Sequence, residues 1–341
     1  MIEEIKKRHI PALMPREKML RILLEEEYGF LPPKPTDIRF EVKKNVIPNF
    51  CAGNATCDRI TAHCKIDDRV FSFGFNAILP TDDKKHPFFV HVNFRPDIPD
   101  RHQPTEEIID HGFALLTFCY EDVTKDDGDF TDGLAGILYE NGERSPSDAG
   151  KIAMWAWAAQ RVMDYAETLS DNLDLNCAVM CGHSRLGKTA LLASATDERF
   201  AFVYSNDSGC AGAAITRGKQ GESIEAIYDR FPYWFCEKFS EYVGNVDSML
   251  FDQHYLIASI APRRVLVGSA SEDLWADPYS EQLSCFAASD AFDKGFVCPD
   301  RQAEVGEKFF DGDLGYHLRS GLHYFSRNDW NRLIEFVNMH R

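Results

Sequence analysis

Residues 176–195 read NCAVMCGHSRLGKTALLASA, and this stretch decides the fold of the chain. The apolar run before the turn predicts a buried strand, and the small residues and leucines after it predict a helix packed closely on a sheet. Ser184 stands at the turn, where a sharp strand-to-helix bend pushes its hydroxyl out of the sheet. Gly182 and Gly187 lack a Cβ and let strand and helix approach. The stretch therefore predicts a nucleophile elbow with Ser184 at its apex.

The motif departs from the usual G-x-S-x-G pattern of such an elbow at its fifth position. Leu186 occupies that position, and the glycine follows one residue later at Gly187. A strand-to-helix turn that merely needed small residues is the alternative interpretation. If the motif is an elbow, the free N–H groups at the start of the helix point at charge that forms on a substrate.

The composition is that of a globular protein that is large enough to fold without disulfide bonds. The chain has 341 residues, of which 44% are hydrophobic, and a formal net charge of −17. A chain of this length buries most of the surface that it exposes when unfolded. The negative charge argues against nucleic acid or an anionic membrane as a partner. The oligomeric state stays open at this stage.

The N-terminal sequence and the cysteines bear on the compartment. Residues 1–7 read MIEEIKK, which is charged and lacks the apolar segment of a signal peptide. No apolar run is long enough to span a bilayer. The 10 cysteines are scattered without a C-x-x-C pair, which favours reduced, buried thiols. These features predict a cytoplasmic protein, with a mature secreted form that has lost its leader as the alternative.

The first 80 residues predict a helix followed by antiparallel strands. Apolar residues recur at helical spacing up to about residue 33, where Gly and Pro end the pattern. The alternating stretches that follow predict strands at one edge of a sheet; they are 39–42, 59–66 and 70–79. We expect this part, residues 1–80, to lie beside a catalytic core formed by residues 81–341, within a single domain that spans residues 1–341.

The rest of the chain alternates strands and helices. Nearly continuous apolar runs predict parallel strands that are covered on both faces; they are 86–93, 112–118, 176–180, 201–206 and 264–270. Helices are predicted over 150–169 and from about 329 to 340. The polar segment 121–147 predicts a long surface loop near the site. The fold class is therefore α/β, with a doubly wound, mostly parallel sheet in a three-layer αβα sandwich.

A serine nucleophile needs a base, and the base needs a carboxylate to orient it. In folds with this elbow the chain order is serine, acid, histidine. The histidines after Ser184 are His254, His317, His323 and His340. The first lies in a helix-like run and the last in the final helix, whereas His317 and His323 both fall in the predicted loop before that helix. We favour His323, because the serine and glycine before it allow a loop that approaches the site closely.

Two aspartates compete for the acid position. Asp273 follows the strand that ends at residue 270, which is the ordinary acid position of the fold, and Asp207 follows an earlier strand. Each can instead be a turn or cap residue. Glu272 and Asp277, near Asp273, are interpreted as solvated loop charges. Arg185 is either a surface cation over the first helical turn or a positive charge at the oxyanion site. No H-E-x-x-H and no paired cysteines are present, so no metal site is predicted.

Several motifs in this order resemble the glucuronoyl esterases of carbohydrate esterase family 15, in their bacterial branch. The resemblance covers most of the chain from about residue 85 and includes the family pattern G-x-S-R-x-G-K, which shares the missing fifth-position glycine. The matching stretches are 182–188 (GHSRLGK), 206–209 (NDSG), 217–222 (RGKQGE), 252–254 (DQH), 272–278 (EDLWADP) and 321–323 (GLH).

The resemblance implies an α/β-hydrolase that cleaves esters of (4-O-methyl-)glucuronic acid through an acyl-enzyme. It makes Ser184 the nucleophile, His323 the base and Arg185 the oxyanion-hole residue. The family takes its acid from either of two strands, with Glu common at the position of Asp207, so that Asp207 and Asp273 both remain candidates. We expect Asp273 to carry more of the role.

The resemblance also implies a sugar-binding set, with Lys188, Glu222 and Trp275 at the matching positions. The expected partner is a small-molecule or oligosaccharide glucuronate ester, and no cofactor is expected. Two alternatives remain at this stage: an acetyl (xylan) esterase that acts on acetylated sugars, and a catalytically silent hydrolase fold that binds carbohydrate.

Overall fold

The structure, a computed structural model, describes residues 1–98 and 100–341. Its strands in chain order are β1 (Asp37–Lys43), β2 (Ala55–Ile66), β3 (Arg69–Pro80), β4 (His86–Asn93), β5 (Ala114–Cys119), β6 (Leu173–His183), β7 (Phe202–Asn206), β8 (Arg264–Ala270), β9 (Lys308–Phe309) and β10 (Leu314–Arg319). Its α-helices are α1 (Ile2–Lys7), α2 (Arg16–Leu23), α3 (Thr105–Asp110), α4 (Gly133–Leu138), α5 (Lys151–Glu167), α6 (Arg185–Thr196), α7 (Ile224–Arg230), α8 (His254–Ala258), α9 (Pro278–Ala288) and α10 (Arg327–His340).

All ten strands belong to one sheet, in the order β1-β2-β3-β5-β4-β6-β7-β8-β10-β9. The three N-terminal strands are antiparallel to one another and form one edge, as the alternating pattern predicts. The next strands in the sheet run parallel to one another; they are β5, β4, β6, β7, β8 and β10. Strand β9 pairs with β10 in the antiparallel sense and forms the far edge. In open α/β sheets ligands bind beyond the carboxyl ends of the parallel strands, so the functional site is expected at that end of the sheet.

Successive residues of the central strands enter two different cores. On β4, Phe88 and Val90 belong to one cluster, and Phe89 between them belongs to the other. Val179 and Met180 of β6 divide in the same way. Because side chains alternate across a strand, apolar residues throughout a strand mean that both faces of the sheet are covered. The predicted three-layer αβα sandwich is confirmed.

The helix α5 is buried on nearly all sides, since it packs under the sheet and against α6. Trp155 and Trp157 are at most 1% exposed, and so is Arg161. Most residues of α5 are apolar, and a helix with apolar residues on nearly every side belongs in the interior of a large core. Contact with α5 therefore holds α6, the helix that follows Ser184, in its place beside the sheet.

The prediction of one helix up to residue 33 is wrong. The segment holds α1 and α2 with an extended stretch between them, and a π-type turn, Leu24–Tyr28, follows α2. Pro11 and Pro15 lie in the interruption, where proline lacks the N–H that a helix interior requires. The turn ends at Gly29 with φ of 84°, and a Cβ there would lie 2.2 Å from the carbonyl oxygen of Asp148.

Two general features complete the fold. Across residues 1–98 and 100–341, none of the helices combines the length and the apolar character needed to cross a membrane. All ten cysteines are free, and eight of them are buried, in keeping with the expectation of reduced thiols. The prediction of a single domain over residues 1–341 stays a prediction.

Candidate active site

The carboxyl ends of four neighbouring parallel strands, β6, β7, β8 and β10, bring the candidate catalytic residues together. The residues that follow these strands are, in the same order, Ser184, Asp207, Asp273 and His323. All four line one cavity of about 300 Å³. The cavity also receives every other residue that the sequence assigned to the site, namely Arg185, Lys188, Glu222 and Trp275.

The elbow is present as predicted. Ser184 has φ of 58° and ψ of −128°, a combination that non-glycine residues rarely adopt and that marks functional turns. Its N–H donates to the carbonyl oxygen of Asn206 at 2.8 Å, which ties the turn to the neighbouring strand. Helix α6 begins at the next residue, so the first N–H groups of the helix, which have no intrahelical acceptor, lie beside the serine.

The shifted glycine of the motif has a packing reason. A Cβ on Gly187 would lie 2.9 Å from Cβ of Ser208 and 3.0 Å from Oγ of Ser205, so α6 can approach the end of β7 only without a side chain there. A Cβ on Gly182 would lie 2.2 Å from the carbonyl oxygen of Leu186. Both glycines therefore set the close approach of strand and helix, and the fifth position itself is free to be leucine.

His323 pairs directly with Asp273. The ring Nδ1–H donates to Oδ2 of Asp273 at 2.5 Å. The carboxylate is almost fully buried, whereas 44% of the histidine side chain is exposed. A carboxylate on Nδ1 fixes the tautomer in which Nε2 carries the lone pair, so the imidazole is set to accept a proton. This pair supports Asp273 as the acid that orients the base.

Asp207 lies close by but is bound to other groups. Its Oδ1 accepts from the N–H of Ala270 at 2.8 Å, and its Oδ2 accepts from Nη2 of Arg319 at 3.1 Å. Burial raises the pKa of this carboxyl well above its ordinary value, and the arginine opposes that shift. One ligand atom each of Asp207, Asp273 and His323 lie within 4.8 Å of one another. Asp207 therefore lies near the imidazole, but its carboxyl oxygens bind the N–H of Ala270 and the guanidinium of Arg319.

A buried acid that the sequence analysis missed supports both strand ends. Glu281 of α9 accepts from the N–H of Gly209 at 2.9 Å and from Oγ of Ser269 at 2.5 Å. Burial raises its pKa to about 7. Because one carboxyl binds the loop after β7 and the end of β8, it holds the two acid-bearing segments in register. No spacing in the sequence relates Glu281 to Gly209 or Ser269, so no sequence pattern indicated this role.

Arg185 is not a freely solvated surface cation. Its Nη1 pairs with Oδ2 of Asp126, and its guanidinium carbon lies 4.7 Å from the ring centre of Trp234 and 5.2 Å from that of Phe231. The side chain is 24% exposed. The polar segment 121–147 was predicted to lie near the site, but its individual contact through Asp126 was not foreseen.

The surroundings of Arg185 suggest why an arginine stands there. In hydrolases with this elbow a second oxyanion donor usually comes from the loop that follows the strand equivalent to β4. Here the N–H of Phe94, the first residue of that loop, donates to Oδ1 of Asn93 at 2.8 Å. A guanidinium beside the cavity can supply donors in its place.

The predicted sugar-binding residues line the same cavity as the catalytic residues. Lys188 is buried, which lowers its pKa, and its Nζ donates to the carbonyl oxygen of Ser208. Glu222 accepts from Nε1 of Trp275 at 3.2 Å, and 55% of the tryptophan is exposed. The set offers a cation, a carboxylate and an aromatic face, which are the groups that hold a sugar's hydroxyls and its apolar ring face.

The segment that carries Glu222 is fixed by the other motifs of the resemblance. Arg217 is buried, and its Nη1 lies 3.1 Å from Oδ2 of Asp252. The same carboxylate accepts from the N–H of Thr216 at 2.7 Å. These residues act on the site through the backbone that they hold in place.

The remaining histidines and acids have structural places. His254 is buried and its Nε2 bonds to the carbonyl oxygen of Pro11 at 2.9 Å, and Nε2 of His340 bonds to that of Phe310 at 2.7 Å. The placement of His317 in a loop is wrong, because it lies within β10. The interpretation of Asp277 as a solvated charge is also wrong: it is 2% exposed and caps α9. Glu272 is exposed, as expected.

His317 shows why a polar residue occurs in a buried strand. Its Nε2 lies 2.9 Å from the hydroxyl of Tyr204, and burial lowers its pKa to about 4. A neutral imidazole with a hydrogen-bond partner is tolerated in a core, whereas an unpaired one is costly.

Comparison with known proteins places the chain among esterases. A family model described as glucuronyl esterase, fungi, matches residues 63–294. A prokaryotic carbohydrate esterase from an unknown organism is 39% identical over 240 residues, which are 69% of this chain and 55% of that protein. A 4-O-methyl-glucuronoyl methylesterase from Schizophyllum commune is 25% identical over 84% of this chain and 69% of its own length. The chain thus spans little more than half of the first of these relatives.

Solved structures match over nearly the whole chain. A glucuronoyl esterase from Solibacter usitatus superposes with a TM-score of 0.86 at 31% identity and covers 95% of this chain and 91% of that one. An esterase of carbohydrate esterase family 15 from a marine bacterial metagenome, described as promiscuous, has a TM-score of 0.85 at 29% identity over 96% and 91% of the two chains. The family model covers most of the chain, and these structures share its fold throughout. The chain therefore belongs to the glucuronoyl esterases of carbohydrate esterase family 15, which have the α/β-hydrolase fold.

Proposed function

We propose that this protein is a serine carboxylester hydrolase that cleaves esters of glucuronic acid. The observation that carries the proposal is a single cavity that holds Ser184 on a strained elbow, the His323–Asp273 pair and the predicted sugar-binding side chains. The names of family members support the substrate class, since the Schizophyllum commune relative is a 4-O-methyl-glucuronoyl methylesterase. The substrate is a small-molecule or oligosaccharide ester of that acid.

In the proposed reaction Ser184 attacks the ester carbonyl carbon, and Nε2 of His323 takes the hydroxyl proton. Asp273 stabilises the imidazolium that forms. The tetrahedral intermediate carries its negative charge beside the N–H groups at the start of α6 and the guanidinium of Arg185. The intermediate then expels the alcohol, which receives the proton from His323, and leaves a glucuronoyl group on the serine.

Water completes the cycle. His323 takes a proton from a water molecule that attacks the acyl-enzyme. The second tetrahedral intermediate collapses as His323 gives this proton to Oγ of Ser184, which releases the sugar acid and restores the serine hydroxyl. Lys188, Glu222 and Trp275 hold the sugar while both steps proceed. Their side chains line the cavity with the nucleophile, so binding of the sugar places the carboxyl ester beside Ser184.

The first prediction tests the nucleophile. Ser184→Ala is expected to lower kcat on benzyl glucuronate by a factor on the order of 10⁶, because removal of a serine nucleophile eliminates the covalent route. The matched control is Ser320→Ala, which removes an exposed hydroxyl three residues before His323 and is expected to keep full activity. A fluorophosphonate probe should label wild type and the control but not Ser184→Ala.

Parallel assays decide the substrate class. Benzyl glucuronate and methyl glucuronate are compared with 4-nitrophenyl acetate by kcat/KM on the same preparation. Hydrolysis of the acetate alone contradicts the proposal in favour of an acetyl esterase. Failure of the folded protein to hydrolyse any ester or to accept the probe contradicts it in favour of a silent carbohydrate-binding fold.

A further inference from the structure

The loop after β5 places one carboxylate against several groups of the active site. The side chain of Asp126 is 9% exposed. Its Oδ2 pairs with Nη1 of Arg185 and accepts from the hydroxyl of Tyr120 at 3.1 Å, and its Oδ1 accepts from Nε1 of Trp234 at 2.7 Å. Its backbone carbonyl accepts from the hydroxyl of Tyr233 at 3.0 Å. Asp126 thus joins the arginine beside the nucleophile to the aromatic wall of the cavity.

The loop that carries Asp126 is itself held to the core. Lys151, a fully buried residue at the start of α5, donates from Nζ to Oγ1 of Thr124 at 2.8 Å and to the carbonyl oxygen of Asp129 at 2.5 Å. Nε1 of Trp155 donates to the carbonyl oxygen of Thr124 at 3.2 Å. These bonds bracket Asp126 on both sides, so its carboxylate is presented from a fixed backbone.

The guanidinium of Arg185 is enclosed by aromatic rings as well as by this carboxylate. The rings of Phe231 and Trp234 stack with centres 3.9 Å apart, and the guanidinium carbon lies within 5.2 Å of both centres. The ring of Phe94 lies 5.9 Å away. Aromatic faces attract the cation without using its N–H donors. Asp126 engages one terminal nitrogen, which leaves further donors of the guanidinium for an oxyanion.

We propose that Asp126 is a positioning residue that aims the guanidinium of Arg185 at the oxyanion of the tetrahedral intermediates. The inference rests on the proposed function, in which Arg185 contributes to the oxyanion site. A free arginine side chain samples many rotamers, and an electrostatic stabiliser is effective only when it is oriented before the charge forms. The carboxylate and the aromatic wall supply that orientation, so the acceleration by Arg185 depends on Asp126.

The direct test is Asp126→Asn, which keeps the shape of the side chain and removes its charge. We expect kcat to fall by a factor of about 10 to 100, less than the 10²–10³ that follows loss of an oxyanion donor, with KM changed by less than about twofold. The control is Asp127→Asn, the same change at the exposed neighbouring residue, which is expected to leave both constants unchanged. A rise in KM with unchanged kcat for Asp126→Asn overturns the proposal.

A double-mutant cycle separates positioning from a general structural role. In the Arg185→Ala background the guanidinium is gone, so adding Asp126→Asn should lower kcat no further. If the two changes multiply instead, Asp126 acts independently of Arg185 and the proposal is wrong. The rates are referred to active sites counted with the fluorophosphonate probe, so that partial unfolding of a variant does not count as lost catalysis.

Guanidinium ion offers an independent readout. At millimolar concentrations it should restore part of the activity of Arg185→Ala, because Asp126 and the aromatic wall form a site that fits it. The restoration should be lost when Asp126→Asn is added, and equal restoration in both backgrounds overturns the proposal.

The double-mutant cycle of Asp126 and Arg185 can also be measured on a reaction other than glucuronate hydrolysis. The rate of phosphonylation of Ser184 by the probe depends on the same oxyanion site and needs no sugar. If wild type does not cleave glucuronate esters but the cycle on phosphonylation shows the expected coupling, the proposed substrate fails and the role of Asp126 stands. If neither phosphonylation nor ester hydrolysis shows coupling between Asp126 and Arg185, the proposed role of Asp126 is wrong, while the proposed substrate is unaffected.

Discussion

The ends of strands β7 and β8 carry an aspartate each, and the two aspartates differ in what they touch. Asp273, after β8, accepts a hydrogen bond from His323 at 2.5 Å. Asp207, after β7, accepts from the backbone of Ala270 and from Arg319. Asp207 also has φ of 45°, an unusual conformation for a residue other than glycine.

A carboxylate can therefore lie close to the catalytic base without forming the hydrogen bond that orients it. The two carboxylates lie close enough to be mistaken for one another. The donors around each one decide its role, because a carboxylate already bound to an arginine and a backbone N–H mainly fixes those groups. On this comparison we expect Asp273 to orient the base, and Asp207 to hold the end of β8 together with the loop that carries His323.

Of the two aspartates, Asp273 should have the larger effect on turnover when it is replaced. Asp273→Asn keeps the size of the side chain but removes the charge that stabilises the imidazolium, and it favours the wrong tautomer of His323. We expect kcat to fall by about 10⁴-fold with a small change in KM. The measurement is steady-state hydrolysis of benzyl glucuronate, with Glu272→Asn, at the exposed neighbouring position, as the control.

The corresponding change at Asp207 should reduce stability more than turnover. Asp207→Asn weakens the bond to Arg319, which retains Asp329 as a second partner at 2.8 Å. We expect kcat to fall by less than about tenfold and the free energy of unfolding to fall by about 2 kcal/mol, the usual worth of a hydrogen bond to a charged group. Urea unfolding and steady-state kinetics on the same samples measure the two effects.

The double variant can contradict this division of roles. If each carboxylate acts separately, the loss of kcat in Asp207→Asn with Asp273→Asn should equal the product of the single losses. A much greater loss means that the two share the task of stabilising the imidazolium. A severe loss in Asp207→Asn with Asp273→Asn nearly unaffected reverses the assignment.

The part of the site that follows strands could be predicted from the sequence. Ser184, Asp273 and His323 each come directly after a strand or a short loop, and parallel strands bring such positions to one edge. The local sequence patterns that predict the strands were therefore enough to predict that these residues lie close together. His317 was misplaced because its strand contains polar residues, which are accommodated only through partners such as Tyr204 that lie far away in the sequence.

The supporting residues could not be predicted, because their partners come from distant segments. Asp126 meets Arg185 and Trp234 only after three segments have packed, and no spacing in the sequence relates them. Glu281 likewise binds Gly209, 72 residues away. The broken N-terminal helix is a different case: Pro11 and Pro15 were visible, and their effect on a helix outweighs the apolar spacing around them.

The last prediction concerns Glu281, which holds the two strand ends together, and it is a pH dependence of stability with no expected loss of turnover. Burial raises its pKa to about 7 from an ordinary value of 4.5. Between these values the folded protein binds the proton more tightly than the unfolded chain does. The contribution to stability is therefore fully present below about pH 4.5 and is lost as the pH rises through about 7. The difference corresponds to about 3 kcal/mol.

Glu281→Gln has no proton to lose at this position, so its stability relative to wild type should rise with pH. We expect the difference in unfolding free energy between variant and wild type to shift by about 3 kcal/mol in favour of the variant from pH 4.5 to pH 8.5. Urea unfolding across this range measures the shift, and Glu304→Gln, whose side chain is 80% exposed, controls for the loss of one negative charge. Parallel pH profiles for Glu281→Gln and wild type would contradict the prediction, because they would show that the carboxyl that holds the β7 and β8 ends is ionised throughout this range.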